Sequence, residues 1–310
     1  MYRKSCLIPA CGEGGTVVKR RKPLSVFPII NGLILTLIGI VCLYPMLYIL
    51  FASLSEPDRI MKHTGLLTAP LGFTLEGYTL AFRNPNILSG YMNTLIYVVV
   101  GTVLSVVVTA AGAFVTSRKD ALLARPIMLC VIFTMYFSGG LIPLYLLVNE
   151  LGLFDTRAAI ILVGLVSTWN LIVMRTSFLS IPDSLEESAK IDGASPLVIF
   201  LKIYLPLSKP MLATMTLFYG VGNWNSWFNA SIFLQDRGKF PLQLIMREIL
   251  ISNDMSSMTN MNTVGTYTNS MYQVLVKYAV VVIATLPILC IYPFLQRYFI
   301  KGVMIGAVKG

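Results

Sequence analysis

Six apolar stretches limit what this chain can fold into. They run at about Pro28–Leu50, Thr94–Thr116, Ile127–Val148, Ala158–Val173, Met211–Phe233 and Val276–Phe294. Each approaches the ~20 residues needed to cross a bilayer as a helix. In hydrocarbon every backbone N–H and C=O must be bonded within the segment, so helices are the form such stretches take. None of the six contains Asp or Glu, and only 12% of the chain is charged, against about 25% in soluble domains. The expected fold is an all-α polytopic membrane protein with six transmembrane helices, a basic tail over 1–26, a spanning domain over 27–301 and a short tail over 302–310.

One polar island interrupts this pattern, DSLEESAKIDGASPLVIFLKIYLP at residues 183–206. Pro182 stops the preceding helix. Ser184 followed by Glu187 three residues on predicts a capping box. A helix of about two turns should then run to Asp192 and end at Gly193 in the left-handed conformation. Ser195 as N-cap and Pro196 at the first helical position start a second helix. A helix, a forced bend and a helix between two spans suit a docking surface for a soluble partner.

Basic residues set the expected orientation. The tail (Arg3, Lys4, Lys19, Arg20, Arg21, Lys22), Arg118, Lys119 and Arg125, the island region (Arg175, Lys190, Lys202, Lys209) and the C-terminal Arg297, Lys301 and Lys309 hold sixteen of the 24 Lys and Arg. By the positive-inside rule these segments and both termini face the cytoplasm. The same placement accounts for the net charge of +10 without nucleic acid. On the outer side, residues 52–93 and the polar, Met-rich residues 235–275 are long enough to contact a partner.

Several chemistries are excluded. No phosphate-binding loop of the G-x-x-x-x-G-K-[ST] type is present. His63 is the only histidine, which rules out a two-histidine metal site, and no metal site is expected. Spans without carboxylates argue against intramembrane acid catalysis and proton relay. Their polarity is uncharged and aromatic, densest at Tyr219, Asn223, Trp224, Asn225 and Trp227. Amides beside rings could line a translocation path for a sugar, or form an interfacial belt. Ser138, Gly139, Gly140 and Pro143 predict a local break in the third span.

Glu187-Ser188-Ala189, three residues, Gly193, nine residues, then Ile203-Tyr204-Leu205-Pro206 resembles the EAA motif of ABC importer permeases, with Ser188 in place of an Ala. The whole chain resembles the MalG-like permease subunit of carbohydrate ABC importers. The segment Tyr136–Leu153 and the closing Lys301-Gly302-Val303-Met304-Ile305-Gly306 are similar to its LplC-like branch, which imports oligosaccharides in Gram-positive bacteria.

The resemblance implies a type I importer permease in the bacterial cell membrane that carries no cofactor of its own. ATP and Mg would sit on two separate ABC ATPase subunits. The island would couple to them through Glu186, Glu187, Ala189, Asp192, Gly193 and Pro206, with Glu187 paired to basic residues and Gly193 making the bend. The other implied partners are a MalF-like second permease, an extracellular solute-binding lipoprotein, an oligosaccharide and membrane lipid. Asn253, Asn260, Asn262 and Tyr267 lie where the family reaches into its binding protein. The readings left beside this one are a membrane-embedded glycan or lipid enzyme and a secondary transporter.

Overall fold

A computed structural model describes residues 26–118, 120–251 and 266–307. Among these residues the chain is helical with no strand. It divides after Met46 into two units. In the first unit the described residues belong to α1 (Val26–Ser53), whose apolar side chains are almost all exposed there. The second unit, Leu47–Gly310, carries the remaining helices.

The outer segment expected over 52–93 is ordered by two short helices, α2 (Pro57–Lys62) and α3 (Glu76–Arg83), before α4 (Pro85–Ser117) begins. Asn84 caps α4 by accepting the Asn86 N–H, with Pro85 in the first turn. Packed against α4 are α8 (Thr168–Leu179), α12 (Lys209–Trp224) and α14 (Leu242–Ile251). Its inner face is small or weakly polar: Gly101, Thr102, Ser105, Thr109, Ala110 and Ala113 are all buried. Its outer face carries the exposed Val99, Val103 and Val107. Small residues let helix backbones approach closely where no hydrophobic driving force separates one apolar surface from another. Gly101 shows the closeness, since a Cβ there would lie 2.9 Å from the Asn223 amide nitrogen.

Among the described residues, three helices are long and apolar enough to cross a membrane unaided, Phe27–Ser53, Pro85–Ser117 and Gln273–Pro293. Two bent pairs raise the number to five if each is a single span. Continuous helices therefore do not make up the six spans expected. The third stretch divides into α5 (Ala124–Tyr136) and α6 (Leu141–Glu150), turned by 119°. The break falls at the expected glycines, where Gly140 takes φ 85° and ψ 177°, a conformation open only to glycine. The fourth divides into α7 (Arg157–Leu162) and α8 around Gly164 at φ 86°. The fifth divides into α12 and α13 (Phe228–Phe233) around Asn225. The sixth is longer than expected: α15 (Thr266–Ala307) runs without interruption past residue 301, where a tail was expected.

Candidate functional site

The island is built by local chemistry at every turn. α9 (Asp183–Ile191) starts two residues earlier than expected, with Pro182 as its N-cap at φ −60° and ψ 130°. Ser184 is thus inside the helix, and its carbonyl accepts the Ser188 hydroxyl at 2.8 Å. The capping box does not form, because the fixed proline φ already provides the entry geometry. Asp183 and Glu186 occupy the first turn, where carboxylates favour the positive end of the helix dipole. The other end behaves as expected. Gly193 sits at φ 76°, its N–H bonds the Lys190 carbonyl at 3.0 Å, and the Ala194 N–H bonds the Ala189 carbonyl at 2.9 Å. This pair of bonds is the Schellman closure.

Ser195 then accepts the Val198 N–H at 3.4 Å and Pro196 opens α10 (Pro196–Ile199). The second limb widens into a π-helical turn at Phe200–Tyr204, where the Leu205 N–H reaches the Phe200 carbonyl, and closes in α11 (Leu205–Leu207). Pro206 explains the widening, because it has no N–H for the carbonyl four residues back and its ring crowds that carbonyl. The limb then turns by 83° into α12.

Two layers hold the island. Ile199 and Tyr204 are buried with Phe114 of α4 and Phe178 of α8. The Tyr204 ring meets Phe114 and Phe178 edge-on, at centroid distances of 4.9 and 5.4 Å. Above it, the Tyr204 hydroxyl donates to Glu186 Oε2 at 2.7 Å. Glu186 Oε1 pairs with Arg118 at 2.7 Å and with Lys190 at 2.9 Å. Asp120 joins the same two cations at 3.0 and 2.9 Å. Burial opposes the charge on Glu186, but the Tyr204 hydroxyl, Lys190 and Arg118 outweigh it and keep the carboxyl below its ordinary value. Hydrogen bonds from Arg118 and Lys190 pull the Asp120 carboxyl down as well.

The outward face is different. Glu187, Asp192 and Pro206 are exposed and Ala189 is half-buried. Ile191 and Leu197 are 86% and 64% exposed, an apolar pair beside the free carboxylates.

Residues 108–305 match the family described as binding-protein-dependent transport system inner membrane component. The chain belongs to this family. It is 39% identical to the polygalacturonan/rhamnogalacturonan transport system permease protein YtcP of Bacillus subtilis (strain 168), over 89% of this chain and 96% of that one. It is 40% identical to protein LplC of the same organism, over 92% and 95% of the two chains. Among solved structures, it matches a chain of a bacterial ABC transporter involved in the import of the acidic polysaccharide alginate. That match has a TM-score of 0.80 and 31% identity over 93% of this chain and 100% of the other.

The permease uses much of its expected path cluster for internal contacts. Tyr219 is buried, shares a 2.7 Å hydrogen bond with Thr109 and accepts the Ser167 N–H. Asn223 donates to Thr102. Trp224 is buried and donates to the Ala284 carbonyl. Asn225 is exposed. Trp227 is half-buried under Arg247, whose guanidinium lies 4.2 Å from the ring centroid. A cavity of about 370 Å³ between α4, α12 and α15 is walled by Val99, Val103, Leu217, Val221 and Ile291, with Trp224 at one side, and offers a sugar little to bond.

Asn253, Asn260 and Asn262 lie outside the described residues, and Tyr267 falls in the first turn of α15. The structure also reveals a ledge at the far end of α4 that the sequence did not announce. Asp155, at φ 54°, accepts the N–H groups of Gln235 and Asp236 at 3.0 Å each. Lys239 bonds both its carboxylate and its carbonyl. From α4, Asn93 donates to the Gly238 and Phe240 carbonyls and Tyr97 to the Lys239 carbonyl. Thr94 accepts the Leu242 N–H. The backbone N–H groups of Asp236 and Gln235, with Lys239 adding to them, pull the Asp155 carboxyl down to about 2. A single carboxylate facing a left-handed turn was the only local signal, and its partners lie some eighty residues away.

Proposed function

We propose that this permease is one half of an ATP-driven importer for oligosaccharides. The chain would cross the membrane six times, with α5 and α6, α7 and α8, and α12 and α13 each taken as one broken span, and with both termini in the cytoplasm. Residues 183–206 would seat in a cleft of a separate ATPase, which holds the ATP and Mg. The observation that carries this reading is the two-sided island. Its inner face is locked onto the chain, while Glu187, Ile191, Asp192 and Leu197 are left unsheltered on the outside. Exposed apolar groups beside free carboxylates suit a protein surface with an apolar pocket and basic residues at its rim.

Closure of two ATPase subunits would draw such islands together and tilt the helices attached to them, a bias between two states that requires no chemistry in this chain. A second permease would complete the path. Asn225, the exposed member of the polar cluster, is the first candidate to face it, ahead of Tyr219, Asn223, Trp224 and Trp227, which make contacts within the chain. An extracellular binding lipoprotein would dock above, with 253–267 as the contact. The cargoes named for similar transporters, polygalacturonan/rhamnogalacturonan and alginate, support a carbohydrate cargo.

The test is uptake of labelled oligogalacturonide by cells making the complete complex, with the tagged chain purified in parallel. Co-purification of an ATPase and uptake that stops on ATP depletion are expected. Uptake unaffected by ATP depletion would make the protein a secondary transporter. Chemical conversion of the sugar by the chain alone would make it an enzyme.

A further inference from the structure

We propose that Glu186, the neighbour of the motif glutamate, is the positioning residue that fixes the island to the end of α4, so that the two move as one body. The proposal rests on the docking role assigned above and divides two adjacent carboxylates between different tasks. Glu187 faces outward, whereas Glu186 faces inward.

The geometry gives the reason. α9 has no buried residue, so apolar packing holds it only loosely, chiefly through half-buried Ala189. What holds it is a closed ring of alternating charge: Arg118 to Glu186 at 2.7 Å, Glu186 to Lys190 at 2.9 Å, Lys190 to Asp120 at 2.9 Å, and Asp120 back to Arg118 at 3.0 Å. Arg118 caps the end of α4, and Asp120 lies in the link to α5. Glu186 and Lys190 are one turn apart on α9. Tyr204 adds the second limb of the island through its hydroxyl. The end of α4 and both limbs of the island therefore converge on one carboxylate.

The members are not equal. Asp120 and Lys190 are 54% and 42% exposed in their side chains, and exposed pairs contribute little. Arg118 and Glu186 are 9% and 13% exposed. Arg118 also lies over the Phe114 ring, 5.2 Å from its centroid. Removing Glu186 leaves the sheltered Arg118 with only the exposed Asp120 as its partner, and so costs more than the loss of an exposed pair. The neighbouring Glu187 points about 100° away round the helix and cannot substitute.

The test uses the complete complex, purified through a tag on this chain and reconstituted in proteoliposomes, with labelled oligogalacturonide as cargo. The variants are Glu186→Gln, Arg118→Gln, the double variant and Glu187→Lys. Glu186→Gln and Arg118→Gln should retain the ATPase at wild-type stoichiometry but move several-fold less sugar per ATP hydrolysed. The double variant should be no worse than either single one, since both break the same contact. Hydrogen exchange within 183–207 should rise roughly tenfold in Glu186→Gln, as expected for loss of a charge-assisted bond. Unchanged exchange together with unchanged sugar per ATP would overturn the proposal. So would loss of the ATPase in Glu186→Gln as complete as in Glu187→Lys, because Glu186 would then be a docking residue. If the wild-type complex retains no ATPase, the docking role itself falls and exchange alone decides. Faster exchange confined to 183–207 would still uphold the fixing role, and unchanged exchange would end it.

Discussion

The two ends of α4 are both clamped, but by different means. At its first turns, Asn93, Thr94 and Tyr97 bond the backbone of 238–242 directly, and Asp155 does the same for 235–236. At its last turn, Arg118 bonds side chains, Glu186 and Asp120. Bonds to backbone fix the path of a loop whatever residues it displays. Bonds between side chains fix one helix against another and leave the free face to vary. The ledge is thus tied through its backbone, and the island through its side chains.

The largest effect separating the two should come at the bend. Gly193→Pro cannot adopt φ 76° and loses the N–H that bonds Lys190. The expected cost is about 3 kcal/mol or more, with uptake abolished and the ledge intact by hydrogen exchange. Gly193→Ala meets no atom within 4 Å, so it carries only the left-handed penalty of about 1 kcal/mol. Equal losses for the two variants would show that the left-handed backbone at 193 tolerates no side chain, whether or not the N–H is kept.

Next is the ledge. Asp155→Ala leaves the Gln235 and Asp236 N–H groups without their partner, and should lower stability by about 1–3 kcal/mol, read by thermal unfolding. The carboxyl also predicts a pH dependence. Its folded value of about 2 lies below the ordinary value of 3.8, so its contribution is complete above the ordinary value and is lost as pH falls toward about 2. The acid sensitivity of the wild-type ledge over that window should be absent in Asp155→Asn.

Smaller than the effect of Gly193→Pro should be that of Tyr204→Phe. The ring keeps its contacts with Phe114 and Phe178 and loses one bond to a carboxylate, a cost of about 1.5 kcal/mol. A loss as large as that of Gly193→Pro would mean that the hydroxyl, and not the ring, holds the second limb.

What could be read in advance follows from how far each signal reaches. Gly193, Ser195 and Pro196 were legible because a cap or a left-handed turn involves neighbours within a few residues. The break at Ser138–Gly140 was legible for the same reason, although its 119° turn was not. The divisions around Gly164 and Asn225 were hidden, since average apolarity is blind to a helix that stops and restarts. Ser184 was misplaced as a cap because Pro182 could serve equally well. Tyr219, Asn223 and Trp224 stood out as polar groups in a span, but only their partners Thr109, Thr102 and Ala284 reveal internal use.

By itself, then, the sequence determined that this chain is a helical membrane protein with one polar island, and the spacing around Gly193 carried its resemblance to the permease family. Apolar length and local turn chemistry suffice for that. The tertiary structure alone decided which of two adjacent glutamates faces inward and which outward. That choice depends on Arg118, brought to α9 from the distant end of α4, and on Tyr204, folded back onto α9 by the bend at Gly193.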